Sequence, residues 1–311
     1  MQTINDISRY PGLPSAVCVG VFDGVHLGHQ SLISRLVADA KARGLASVVV
    51  TFDPHPRIVL SKGNDRVGIL TTPSEREQEL AQTGVDFLVV IPFTREFSDL
   101  TARQFLAEVL VAKLNARYML LGYNHHFGSD DVPPSDYPAL AKSLGIEAAK
   151  AEAFLLPNNV KVSSTEIRNA LAAGDVAAAA DLLGRHYSLE GEVVHGDAVG
   201  RKLGFRTANI VPANQNKLIP ADGVYACRVS FQGSEPHVAV VNVGTRPTLG
   251  GDDRRVEAHV LDFDGDLYGG RATLLFVARI REERKFANLD ELSRQIASDI
   301  ETAKADLKPP R

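Results

Sequence analysis

Apolar residues arrive in short blocks along the first half of the chain, and between the blocks they recur every three or four positions. Ala16–Phe22, Ser47–Phe52, Val85–Pro92, Tyr118–Tyr123 and Ala148–Leu155 are runs of buried-strand length. Helical spacing fills the gaps: His29–Arg43, with Leu32, Ile33, Leu36 and Val37 on one stripe, then Pro73–Thr83, Ala102–Asn115 and Ser135–Leu144. Alternation of this kind predicts a doubly wound parallel sheet that binds ligands at the carboxyl ends of its strands. Ser164-Thr165 caps a further helix to about Ala173, and Val176–Leu183 makes a short one. From Tyr187 the character changes to β-rich segments, Leu189–His195, Val224–Phe231, His237–Val243, Val256–Phe263 and Ala272–Arg281, joined by Gly- and Asp-rich turns. These predict an antiparallel β-barrel, followed by a terminal helix that starts at Asn288 with Glu291 as a capping-box partner. The expected boundary lies at about His186, giving an α/β domain over 1–185 and a barrel domain over 186–311.

Composition narrows the function classes. A chain of 311 residues can bury two cores without disulfides, and its two cysteines, Cys18 and Cys227, fall in apolar strands of different domains. A reduced, cytoplasmic protein is expected. No apolar stretch approaches the length of a membrane span, and Met1 to Pro11 is polar rather than a leader. The formal net charge of −4 argues against a nucleic-acid binder, which would need a broad basic face. With no Trp and 6% aromatic residues there is no sign of stacking platforms for single strands either. Oligomeric state is not set by any of these features.

The most informative run is Gly20-Val21-Phe22-Asp23-Gly24-Val25-His26-Leu27-Gly28-His29, at a predicted strand-to-helix turn. Such a turn aims unpaired backbone N–H groups and the positive end of a helix dipole at an anion, and Gly24 and Gly28 allow close approach. Two imidazoles one turn apart can hydrogen-bond phosphate oxygens as charge develops on them. His26-Leu27-Gly28-His29 resembles the HxGH signature of nucleotidyltransferases. With the flanking Phe22-Asp23-Gly24-Val25 and Thr51-Phe52-Asp53-Pro54-His55-Pro56, it resembles the bacterial family of bifunctional riboflavin kinase and FMN adenylyltransferase, or FAD synthetase. The resemblance implies an HxGH-type domain with His26 and His29 catalytic. It implies triphosphate binding by Ser164, Thr165 and Arg168 of Ser163-Ser164-Thr165-Glu166-Ile167-Arg168, and a flavin pocket of Phe52, His55, Pro56, Asn124 and Phe127. From residue type alone an ordinary cap with an exposed arginine is the favoured reading of Ser164-Thr165, which the resemblance reverses, and Pro54 or Pro56 could be a cis-proline turn with no ligand contact.

Gly200-Arg201-Lys202-Leu203-Gly204-Phe205-Arg206-Thr207-Ala208-Asn209 resembles the riboflavin kinase element of the same family, with Arg206 where the family has proline. By that resemblance Gly200 and Arg201 bind ATP phosphates and Arg281 borders the flavin. The hydroxyl of Thr207 and the amide oxygen of Asn209 suit Mg²⁺ held with those phosphates. Glu257, in Val256-Glu257-Ala258-His259, falls at the position of the family's catalytic base. The implied substrates are riboflavin, FMN and ATP. A second departure follows Phe127-Gly128: Ser129-Asp130-Asp131 stands where the family continues with basic residues and glycine. Acidic groups beside a phosphate site would repel it unless they point away. Two other readings stay open at this level, a diverged paralogue with the kinase alone or another nucleotide, and a non-catalytic flavin-binding regulator.

Overall fold

The computed structural model describes every residue except 62–67, 124, 131, 196–206, 232–233, 249–250, 264, 266–267 and 308–311. At 158, 246–248 and 251–253 it describes the backbone only. Two compact units emerge, Met1–Ser164 and Thr165–Arg311.

The first unit is built on six strands, β1 (Gln2–Ile4), β2 (Ser15–Val19), β3 (Ala46–Asp53), β4 (Phe87–Pro92), β5 (Ala116–Leu121) and β6 (Glu147–Lys150). They form one sheet in the order β1-β4-β3-β2-β5-β6, and every pairing in it is parallel. Alternation along the strands makes two cores. Val17, Val19, Val48, Val50, Met119 and Leu121 pack on one face, while Ala16, Cys18, Val49, Tyr118 and Leu120 pack on the other. Helix α1 (Leu27–Arg43) lays Ile33, Leu36 and Ala40 on the second face. Short helices α2 (Pro56–Leu60), α3 (Pro73–Ala81) and α4 (Arg95–Ser98) follow. Helix α5 (Ala102–Gln104) runs directly into a π-helical stretch, Phe105–Val111, whose Phe105, Leu106 and Leu110 fill the first face beside α6 (Tyr137–Ser143). The sheet is therefore doubly wound, and the chain reverses its direction of growth between β2 and β5. That switch point is where a crevice opens at the strands' carboxyl ends.

Two differences from expectation have plain causes. Strand β1 was not predicted because three residues with one buried side chain carry almost no period. The predicted run Ala148–Leu155 divides into β6 and a small hairpin of β7 (Leu155–Leu156) and β8 (Val160–Lys161), since Leu155 and Val160 are exposed rather than core residues.

The second unit opens with α7 (Ser164–Ala172, its first residue the last of the other unit) and α8 (Val176–Leu183). A closed barrel follows, from β9 (Tyr187–Val194), β10 (Ala208–Pro212), β11 (Gly223–Phe231), β12 (His237–Thr248), β13 (Gly251–Val260) and β14 (Arg271–Arg281), in the order β10-β13-β12-β11-β14-β9. Strand β9 also pairs with β10, which closes the ring. The interior holds Tyr225, Cys227, Val241, Val243, Val256, Ala258 and Phe276, all buried. Helix α9 (Leu289–Asp306), capped by Asn288, packs Ala303 on the outer face against Val224, Ala226 and Val240. The expected boundary near His186 and the division at Thr165 differ by the two helices α7 and α8. The Ala221 N–H donates to Leu171 O (2.8 Å), and α8 packs on β14 and β9. Both cysteines are free and buried, and burial pushes both thiols up.

Candidate active sites

In the first unit the loops after β2, β3 and β5 meet at the switch point. The turn out of β2 is strained, with Phe22 and Val25 at φ 50° and 39° and Gly24 at 88°. A buried carboxylate holds it there. Asp23 accepts hydrogen bonds from the Leu70 N–H (2.8 Å) and the Thr71 N–H (3.0 Å), while the Gly24 N–H donates to Thr71 Oγ1 (3.0 Å). Such over-determination is what lets an unfavourable backbone persist. The Ser164 hydroxyl donates to the Asp23 carbonyl (2.8 Å), so the serine of the second motif is tied to the first.

His26 is the N-cap of α1. Its Nδ1 accepts from the His29 N–H (3.2 Å), and the two rings stack at 3.6 Å with 15° between their planes. The bond places the His26 proton on Nε2, a donor. The edge of Phe22 covers His29 at 5.1 Å, and His29 Nδ1 is buried with no hydrogen-bond partner. Burial, then the neighbouring His26, pushes the His29 imidazole well below its ordinary pKa, so it is neutral at pH 7. Gly28 leaves the room this stack needs, since a Cβ there would lie 3.2 Å from the His26 ring.

The peptide Asp53-Pro54 is cis. His55 and Pro56 start α2, where His55 Nδ1 accepts from the Arg57 N–H (3.0 Å) and Nε2 lies 3.8 Å from Asp23 Oδ2. Phe52 meets Phe93 and Phe97 at 5.5 and 5.8 Å, extending an aromatic run to Phe105 and Phe127. Phe127 stacks on Tyr137 at 4.2 Å and exchanges hydrogen bonds with its hydroxyl. Asn124 lies outside the described residues. Thr165 and Arg168 occupy the first turns of α7.

The acidic departure after Gly128 has a structural task. Asp130 Oδ1 accepts from the Ala102 N–H (2.7 Å) at the start of α5, and the Ser129 hydroxyl donates to the Asp99 carbonyl (2.7 Å). Asp130 is thus spent on a helix terminus that wants an anion. Asp131 lies outside the described residues.

Sequence reasoning missed Arg76, which is buried on α3 and donates to the carbonyls of Val21 (3.2 Å) and Phe52 (3.0 Å). It joins the strand ends that carry both motifs. The legible signal was an arginine on the apolar stripe of a helix, in line with Leu80.

In the second unit Asn209 on β10, Glu257 on β13 and Asn242 on β12 are direct cross-strand partners. Directly opposed residues share a face. This is the outer face that also carries α9, because Val224, which packs with α9, is the partner of Asn242. Asn209 is buried, and Thr207 enters β10 just before it. These side chains offer neutral and anionic oxygens, the donor set a hard cation such as Mg²⁺ takes alongside phosphate. Among the described residues no cluster of three or more His, Cys, Asp or Glu offers a metal site without such help. Asn242 Nδ2 donates to Glu283 Oε1 (3.2 Å), and Glu283 fills the space over Gly244. Arg281 donates to Asp299 of α9 from Nε (3.0 Å) and Nη2 (2.8 Å), so its fork braces the helix. Its guanidinium also lies 5.6 Å from the Phe286 ring. Gly200 and Arg201 lie outside the described residues, as does Arg206.

Comparison with known proteins places both units. A family model described as FAD synthetase matches residues 12–166, and one described as riboflavin kinase matches 183–307. The bifunctional riboflavin kinase/FMN adenylyltransferase of Escherichia coli (strain K12) is 37% identical over 98% of this chain and 96% of its own. That of Listeria monocytogenes is 35% identical over 96% and 94%. A crystal structure described as a macrolide-efflux protein from Streptococcus pneumoniae matches with a TM-score of 0.88 at 33% identity, covering 97% of this chain and 98% of that one. In this chain no helix among the described residues is long and apolar enough to cross a membrane. With both halves matched in order and near full length, the chain belongs to the family of bifunctional riboflavin kinases/FMN adenylyltransferases.

Proposed function

We propose that the barrel unit phosphorylates riboflavin to FMN with ATP, and that the parallel-sheet unit adenylylates FMN to FAD with a second ATP, releasing pyrophosphate. One observation carries this reading: the HxGH histidines stack at the N-terminus of α1, beside the switch point where a doubly wound sheet binds nucleotides.

For adenylyl transfer, an FMN phosphate oxygen attacks the α-phosphorus of ATP and the bond to the bridging oxygen breaks. No side chain need act as nucleophile, so positioning and charge stabilisation are what the protein supplies. His26, held through Nδ1, presents its Nε2–H to the oxygens on which charge develops, and the N–H groups of α1 add to the same field. His29 starts neutral, so it too can donate without first repelling its partner. Ser164, Thr165 and Arg168 hold the triphosphate, with Gly24 and Gly28 giving it room. Phe52, His55, Pro56, Asn124 and Phe127 form the flavin side. For the kinase, Glu257 accepts the proton of the ribityl hydroxyl as that oxygen attacks the γ-phosphorus. Thr207 and Asn209 would hold Mg²⁺, which neutralises phosphate charge when bound. Gly200 and Arg201 take the ATP phosphates, and Arg281 stands at the flavin border through its brace to α9. The cytoplasm is the compartment in which two free thiols remain reduced.

Chromatography of products from riboflavin, ATP and Mg²⁺ tests the assignment. The wild-type chain is expected to make FMN and then FAD. The His29→Ala variant is expected to accumulate FMN, with FAD formation slower by about 10²–10³. Equal loss of both products in that variant would break the two-site assignment.

A further inference from the structure

Helix α3 and the three residues before it grip both loops of the crevice. The N–H groups of Leu70 and Thr71 hold the Asp23 carboxylate (2.8 and 3.0 Å), and the capping box of Thr72 and Glu75 then fixes where the helix starts. Arg76 is the next residue, only 5% exposed. Its two terminal nitrogens go to different strands: Nη1 donates to the Val21 carbonyl (3.2 Å) and Nη2 to the Phe52 carbonyl (3.0 Å). Val21 lies between β2 and the turn that carries His26 and His29. Phe52 lies near the end of β3, just ahead of Pro54, His55 and Pro56. One buried side chain therefore bridges the HxGH loop and the loop assigned to the flavin. The Thr51 hydroxyl, also from β3, donates to the same Val21 carbonyl (3.0 Å). Burying a cation here is costly. It lowers the guanidinium pKa, although the charges of Asp53 and Asp23 favour the charged form, and among the described residues no carboxylate pairs with it directly. An apolar side chain would complete the stripe beside Leu80 without that cost. What it would not supply is a rigid fork of donors spanning two carbonyls.

We propose that Arg76 is a positioning residue for adenylyl transfer, fixing the loop that carries Phe52, His55 and Pro56 against the turn that carries His26 and His29. This role rests on the adenylyl-transfer reading above. In that step an FMN phosphate oxygen meets the α-phosphorus in line with the departing bridging oxygen, and the two substrates sit on different loops. Each loop can bind its own substrate wherever it stands. Their separation decides whether the reacting atoms come within about 3–3.5 Å, and a misplacement of about 1 Å costs on the order of 10²-fold in rate. Loss of the fork is therefore expressed in kcat rather than in the affinity for either substrate.

The test is steady-state FAD formation from FMN and ATP by the full-length chain, with kcat and both KM values measured separately. In Arg76→Met, which keeps the length and loses the donors, kcat is expected to fall by about 10²-fold while KM for FMN and for ATP stays close to wild type. Arg76→Lys keeps a cation with three donors and is expected to recover most of the lost kcat. FMN formation by the same preparations is expected to be unchanged, and quenching of FMN fluorescence on binding reports that the first unit is folded. Where Arg76→Met does not fold, Arg76→Gln, which retains a neutral donor pair, carries the same comparison. A folded methionine or glutamine variant with wild-type kcat would overturn the proposal while leaving adenylyl transfer standing. So would a rise in both KM values at unchanged kcat, which is what loosened packing alone predicts. Failure of the wild type to make FAD would remove the adenylyl-transfer reading and the role of Arg76 with it.

Discussion

His125 shows how a single residue acquires a property its sequence position does not announce. Its ring is only partly covered, yet Nε2 is buried with no hydrogen-bond partner, and burial followed by repulsion from His126 lowers its pKa to about 4. The unfolded chain binds a proton at this residue near pH 6.5, and the folded one does not until about 4. Its contribution is thus fully present above pH 6.5 and is lost as the pH falls through that window. Melting temperature is expected to drop between pH 6.5 and 4, and more gently in a His125→Phe variant. An identical pH slope in the two proteins would contradict the assignment. Arg76 and Asp23 belong to the same scale. Arg76 was visible as a charged residue on the apolar stripe of a helix and Asp23 as part of the motif run, but what each holds, the carbonyls of Val21 and Phe52 and the backbone at 70–71, lies many residues away.

Among the elements, the start of α5 explains a departure that looked adverse in the sequence. Gly128 has φ 91°, and a Cβ on it would lie 2.5 Å from the Ala102 nitrogen, so the loop rests directly on the helix terminus. Asp130 then supplies the acceptor that the Ala102 N–H would otherwise lack. Removing it in Asp130→Ala is expected to cost about 1 kcal/mol. Gly128→Ala is expected to cost about 1–3 kcal/mol from conformation alone, with the clash in addition. Denaturant titration measures both, and FAD formation at saturating substrates is expected to survive in Asp130→Ala. Loss of catalysis without loss of stability would instead put Asp130 at the phosphates. Strand β10 is the matching case in the barrel. Five residues ending in Pro212 gave too little alternation to be recognised, and yet β10 carries Asn209 into register with Glu257.

For the whole molecule, helices α7 and α8 decide where the second unit begins. Arg279 donates to the Asp222 carbonyl (2.7 Å) and lies against Gly174 and Gly223, while α8 buries Val176, Ala179, Leu182 and Leu183. A fragment of residues 165–311 is expected to form FMN and to melt higher than one of 187–311, by on the order of 10 °C. Equal melting points would show that the two helices add nothing to the barrel. Much of this molecule was legible without coordinates: the alternation that makes a doubly wound sheet, the change to a barrel, the terminal helix and the motif at the end of β2. Each depends on periodicity or on contiguous residues, and so reports burial of a residue relative to its own element. Only the tertiary structure decided that Asp23 pins the turn through Leu70 and Thr71, that Glu257 stands between Asn209 and Asn242, and that Arg281 is braced by Asp299. Buried charge and cross-strand register depend on which distant segment arrives opposite, and nothing in the spacing of residues within one segment encodes that partner.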